Sequence, residues 1–254
     1  MGKIISFANQ KGGVGKTTSA VNVAASLGIL GYNVLLVDLD PQGNATSGVG
    51  VAKKGLKYTI KDVLSGDVAA KGAIITTEYT KLSLIPANIT LAGAEFDLFQ
   101  EEEAPQDIMK KALAEVKDEF DYIIVDCPPS LGMLTVNSLT ASDGVVIPMQ
   151  CEFYALEGLA QLMITIGKIK NHYNNALNVT GILITMYSNR LLLTQQVKNE
   201  LKKHYAGKLF ETPITRGVKL SEAPGFGRPV YYHDKRSKGA TEYMSVAHEL
   251  ATRI

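Results

Sequence analysis

The sequence predicts an α/β fold, a doubly wound, mostly parallel sheet flanked by helices. Three observations predict it. Short apolar runs rich in Val, Ile and Leu recur along the chain without strict alternation, which suits parallel strands buried on both faces. Longer stretches with helical spacing separate them, giving a βαβ series. The first apolar run also passes through a glycine-rich turn directly into a helical stretch, the opening of a doubly wound fold.

Taken in order, "KIISFA" (3–8) is the first strand, and residues 16–30 form a helix that stops at Gly31. "NVLLVD" (33–38) is the second strand. Residues 50–83 are the least regular and read as an excursion with one short helix. "DIMKKALAEVKDE" (107–119) is a helix that turns Ile108, Leu113 and Val116 toward a core. "YIIVD" (122–126), "GVVIP" (144–148) and "NVTGILITM" (178–186) are strands; 155–171, 194–205 and 238–252 are helices. No repeat, low-complexity tract or linker interrupts the series, so residues 1–254 are expected to form one domain. A chain of 254 residues, 46% hydrophobic, is long enough for one large core.

Composition excludes several classes. Cys127 and Cys151 make no CxxC pair, so neither a zinc knuckle nor a thioredoxin-type site is suggested. Two thiols suit a reducing cytoplasm. No apolar run reaches the length of a membrane helix, and "MGKIISF" is not followed by the apolar region of a signal peptide. Met1 to Ser6 matches a myristoylation pattern, but these residues read as the first core strand, which leaves Gly2 little freedom. The charge is uneven. Residues 1–150 carry 12 Lys/Arg and 17 Asp/Glu, and residues 151–254 carry 14 and 8. The basic second half points to an anionic partner or to solvated helix faces.

The turn after the first strand is "NQKGGVGKTTS" (9–19). Gly12, Gly13 and Gly15 let the backbone curl so that successive N–H groups, including that of Val14, point inward at the positive end of the next helix. Lys16 reaches β- and γ-phosphates, the Thr17 hydroxyl ligates Mg²⁺, and Thr18 completes the turn. This is a P-loop, in a variant form with Gln10 where the strict motif has glycine. It carries a second lysine, Lys11, which the residues alone leave open as a surface charge. Such a site needs carboxylates at neighbouring strand ends. Asp126 closes its strand and suits Mg²⁺ or its waters. In "LLVDLDPQGNAT", Asp38 reads as a structural acid bonded to loop amides. Asp40, on a loop broken by Pro41 and Gly43, reads as the residue that positions water.

"KGGVGKTT", "DLDPQGNAT", "DYIIVDCPPSLG", "CEFYALEGL" and "VKLSEAPGFGRPV" occur in one order along the chain. Together they resemble the ParA (Soj-like) chromosome and plasmid partition ATPases, the deviant Walker-A group of P-loop proteins. The likeness runs from Lys3 to the C-terminus and is weakest at 50–83. It implies an ATPase with ATP/ADP and Mg²⁺ as cofactors. It also implies that Lys11 crosses a nucleotide sandwich homodimer to the partner's ATP, much as an arginine finger is supplied in trans, with Gly12 at that contact. Asp40 and Asp126 become the two switch acids, and Cys127 a small buried residue. "TPITRG" (212–217) departs from the commoner "IPRN"; the resemblance makes it the base-binding loop, with backbone groups of Thr215 and Gly217 near adenine and Met186 alongside. The absence of an Asn-Lys-x-Asp motif favours ATP over GTP.

For the basic half, the resemblance implies nonspecific binding of double-stranded DNA by Arg190 and Lys219 once the dimer forms, through phosphate neutralisation. Lys198 and Lys202, at i and i+4, share a helix face with each other, and Arg216 adds to the same charge. A ParB-like protein is implied as the partner that stimulates hydrolysis, in a cytoplasmic, nucleoid-associated setting. The alternative is the same ATPase switch acting as an adaptor in replication or positioning a protein cargo. MinD-type relatives bind membranes through a basic amphipathic C-terminal helix, which "EYMSVAHELATRI" does not resemble. Neither cysteine has the glycine-rich context of the nitrogenase iron protein's cluster.

Overall fold

Strand β1 (Lys3–Phe7) alternates two apolar faces. Ile4 packs into one core, and Ile5 and Phe7 into another on the opposite side of the sheet. A strand buried on both faces belongs at the centre of a parallel sheet, and β1 is flanked there by β5 (Tyr122–Asp126) and β6 (Gly144–Gln150). The computed structural model describes residues 2–100 and 105–254. Among them, β2 (Val34–Asp38), β3 (Ile75–Thr76), β4 (Leu82–Ile85) and β7 (Asn178–Thr185) complete a seven-stranded sheet of order β3-β4-β2-β5-β1-β6-β7. Every pairing is parallel except β3 with β4 at one edge.

Helices cover both faces. On one lie α1 (Lys16–Ile29), α2 (Asn44–Gly48), α10 (Val230–His233) and α11 (Lys238–Arg253). On the other lie α3 (Ile60–Leu64), α4 (Leu91–Gln100), α5 (Ile108–Ala114), α6 (Met133–Ala141), α7 (Ala155–His172) and α8 (Leu192–Tyr205). The short α9 (Val218–Glu222) lies on the chain between β7 and α10. The five expected strands and their parallel arrangement are present.

Four details differ from the expectation. The stretch 50–83 holds α3, β3 and the start of β4, a four-residue strand too short to stand out between Lys81 and Pro86. Helix α6 was not anticipated, because most of its residues are buried, polar ones included, which erases the amphipathic period. The helix expected over 107–119 ends at Ala114; Leu113 and Val116 are buried and Ile108 is partly so. Met186 lies beyond β7 with φ 49°, a left-handed conformation that ends the strand. Gly2 is buried, and a Cβ there would fall 2.2 Å from the Phe120 carbonyl oxygen, so the segment is packed as expected.

Candidate nucleotide site and basic surface

Parallel pairing brings three strand ends together. Phe7 and Asp38 both stand opposite Asp126 in the sheet register. The loop that follows β1 therefore rises beside two carboxylates at the C-terminal edge, where open α/β sheets bind ligands. The loop is pinned at its base by Asn9, whose amide donates to the Pro148 carbonyl at 2.7 Å and whose oxygen accepts the Lys11 N–H. Gly13 (φ 75°) and Gly15 (φ 83°) adopt left-handed conformations that an L side chain would strain. Gly15 precedes α1, and no side chain caps the helix. The N–H groups of its first turn are left for an anion, as its macrodipole favours.

Lys16 is 7% exposed, and its ammonium donates to the Lys11 carbonyl at 2.9 Å. Burial holds its pKa below the usual lysine value, opposed mainly by the nearby Asp126 charge. Lys16, Thr17, Asp40 and Gly12 line one cavity of about 330 Å³. Asp126 is fully buried, and neither carboxylate oxygen has a hydrogen-bond partner among the described residues. Burial, then the Asp38 charge, push its pKa well above the carboxylate range. A buried, unpartnered carboxylate beside the Thr17 hydroxyl fits a hard divalent cation.

Asp38 behaves as a structural acid. It accepts the Thr46 N–H and hydroxyl, both at 2.7 Å, and the Asp40 N–H at 3.2 Å. Burial raises its pKa to about 6, against these hydrogen bonds. Thr46 in turn accepts from the Ala87 N–H, which ties the segment after β2 to the end of β4. Asp40 is nearly buried at the cavity and caps its own turn by accepting the Gln42 N–H. Cys127 is buried, donates to Ser138, and has its thiol pushed up to about 12 by burial. It is inert packing.

Lys11 departs from Lys16. Its side chain lies at the surface and ion-pairs with Glu152, just beyond β6. Gly12 beside it has open space: the nearest atom to an added Cβ is 4.0 Å away. Nothing among the described residues requires a glycine there.

A second cavity of about 320 Å³ adjoins the loop through Gly15 and Thr18, and its far wall includes Met186, Thr215, Arg216 and Gly217. Buried Glu242, on α11, accepts both the Thr215 N–H (2.8 Å) and its hydroxyl (3.0 Å). The Thr215 N–H is thus occupied, which narrows its expected backbone role to the carbonyl. Sequence reasoning missed Glu242, which lies 27 residues away in a helix whose pattern signals only amphipathicity.

The expected DNA-binding cations fall in two segments joined at a parallel bridge between Tyr187 and Thr215. Arg190, Lys202 and Arg216 are exposed, and none is in an ion pair among the described residues. Lys198 lies over the Tyr187 ring at 4.9 Å, and Lys219 is paired to Glu222 at 2.9 Å. No helix among the described residues is long and apolar enough to cross a membrane.

A mostly parallel sheet with a glycine loop at the N-terminus of α1 defines a P-loop NTPase fold, and residues 2–179 match the family model described as an AAA domain. The chain is 51% identical to the sporulation initiation inhibitor protein Soj of Bacillus subtilis, covering 99% of each. It is 47% identical to the chromosome-partitioning ATPase Soj of Treponema pallidum, covering 100% of this chain and 98% of that one. It is 45% identical to the chromosome partitioning protein ParA of Myxococcus xanthus, covering 100% and 89%. The chain belongs to this Soj/ParA family of chromosome-partitioning ATPases. Among solved structures, cobyrinic acid a,c-diamide synthase from Mycobacterium smegmatis, determined with an ATP analogue and magnesium, superposes with a TM-score of 0.85. It is 37% identical, covering 98% of this chain and 93% of that one.

Proposed function

We propose that this chain is a Mg²⁺-dependent ATPase whose ATP state switches a DNA-bound homodimer in partition. Lys16 and the α1 N-terminus hold the phosphates, with Gly12, Gly13, Val14, Gly15 and Thr18 shaping the loop. Thr17 and Asp126, with Asp40 nearby, would hold Mg²⁺ directly or through its waters, and the bound ion would supply positive charge against the phosphates. Asp40 orients the water that attacks the γ-phosphate, and ADP and phosphate leave. Met186, Thr215 and Gly217 flank the base.

The observation that carries the dimer reading is the divergence of the two lysines. Lys16 is buried in its own phosphate cavity, whereas Lys11 stands at the surface beside an unfilled Gly12. A second subunit offers Lys11 an ATP to neutralise and uses the open space at Gly12. The dimer then presents two copies of Arg190, Lys198, Lys202, Arg216 and Lys219 to double-stranded DNA, gaining by multivalency without base readout. A ParB-like protein stimulates turnover and release.

Sedimentation with ATP, ADP or no nucleotide, each with and without nonspecific DNA, tests this. Dimers only with ATP, and DNA binding only by those dimers, are expected. A monomer that binds DNA equally in all three states would refute it.

A further inference from the structure

The P-loop backbone can bind an anion only if its peptide planes keep their N–H groups inward. A trans peptide places its carbonyl on the side opposite its N–H, so fixing the outer carbonyls fixes the inner donors. Three loop carbonyls have side-chain partners. The Lys11 oxygen is taken by Lys16, the Val14 oxygen by the Thr185 hydroxyl at 2.7 Å, and the Gly13 oxygen by the Gln150 amide at 2.8 Å.

The Gly13–Val14 peptide most needs such a hold. Gly13 is left-handed, and an added Cβ would meet nothing within 4 Å. Glycine brings no side-chain steric restraint of its own, so the peptide's orientation depends on its hydrogen bonds. The Val14 N–H makes no hydrogen bond among the described residues. Gln150 closes β6, so its amide is delivered by the sheet rather than by a loop. The same nitrogen touches the Met186 sulfur.

We infer that Gln150 is a positioning residue for phosphate recognition: it holds the Gly13–Val14 peptide so that the Val14 N–H faces the β-phosphate. This rests on the P-loop reading above. Gln150 acts through the peptide and touches no reacting atom. Leucine at 150 removes the donor, and glutamate keeps the shape while turning the donor into a repelling acceptor.

The test is displacement of a fluorescent ADP by ADP and by AMP, with Mg²⁺, for wild type, Gln150→Leu, Gln150→Glu and Lys16→Ala. Melting of each nucleotide-free protein is measured alongside. ADP affinity is expected to fall about tenfold in Gln150→Leu and further in Gln150→Glu, with AMP affinity and nucleotide-free melting held near wild type. AMP lacks the β-phosphate, so it does not sense this peptide. Unchanged ADP affinity would overturn the inference. So would an equal loss for AMP, which would place the effect at the base through Met186. A parallel drop in melting would reduce Gln150 to a packing role. Wild type that fails to bind ADP, or Lys16→Ala that binds it normally, would instead bring down the P-loop reading on which the inference stands.

Discussion

Residues 9–18 and residues 212–228 face each other across the cavity proposed to hold the base, from opposite ends of the chain. The first segment is bonded to the ends of sheet strands, through Asn9 to Pro148, Gln150 to Gly13 and Thr185 to Val14. The second contains no strand of the sheet. It joins the sheet through one backbone bond, from the Ile214 N–H to the Ile184 carbonyl of β7 at 2.8 Å, and through the Tyr187–Thr215 bridge; its other polar ties include Glu242 on Thr215, and the Tyr79 hydroxyl on the Gly227 carbonyl at 2.6 Å. Segments held by a few side-chain bonds open at lower cost than those built onto a sheet. On the function proposed above, the phosphate wall is the preset one, and the base wall, which carries Arg216 and Lys219, is the more adjustable.

The largest expected effect falls on the preset wall. Lys16→Ala should weaken MgATP binding by about a hundredfold or more, because the charge-assisted bonds to the phosphates are lost in a buried site. Titration calorimetry measures it, and near-normal affinity would remove Lys16 from phosphate binding. On the adjustable wall, Glu242→Ala frees the Thr215 backbone and should weaken ATP, ADP and AMP alike, by about tenfold. That uniform loss contrasts with the phosphate-selective loss expected at Gln150, and a selective loss at Glu242 would contradict the division of labour.

Arg190→Glu should weaken DNA binding for all sequences and reduce the salt slope by about one to two phosphate contacts, with ATP-driven dimerisation spared. A filter-binding series over salt reads it; an unchanged slope places the DNA face elsewhere. The smallest effect is one of stability. Asp126 has a raised pKa in the folded chain, so its ionisation opposes folding as pH rises, and that cost vanishes below the unfolded carboxylate value. Asp126→Asn should therefore raise nucleotide-free melting at neutral pH by about 2–4 °C. The gain should shrink as pH is lowered toward 4, while Mg²⁺-nucleotide stabilisation disappears. A lower melting point in the variant would contradict the orphaned buried charge.

The two walls also differed in how much of each could be read beforehand. The loop announces itself because glycine spacing, lysine and threonine are contiguous, and Asp38, Asp40 and Asp126 close apolar runs. The structure gathers Lys16, Thr17 and Asp40 at one cavity, with Asp126 opposite Phe7 and Asp38 at the strand ends. Glu242 and Gln150 carry no local signature, since their roles arise from partners 27 and 137 residues away. The core strands were legible as apolar runs, whereas β4 was too short and α6 too uniformly buried to show a period. Short-range chemistry is written in contiguous residues; positioning is written in contacts that only the fold brings about.

In the proposed dimer, Lys16 serves its own nucleotide and Lys11 serves another subunit's. Lys11→Ala tests it, with MgATP affinity of the monomer and ATP-dependent dimerisation measured on the same sample. Affinity close to wild type is expected, together with loss of the ATP-dependent dimer. Loss of nucleotide binding by the monomer, or an ATP dimer that forms as in wild type, would contradict it.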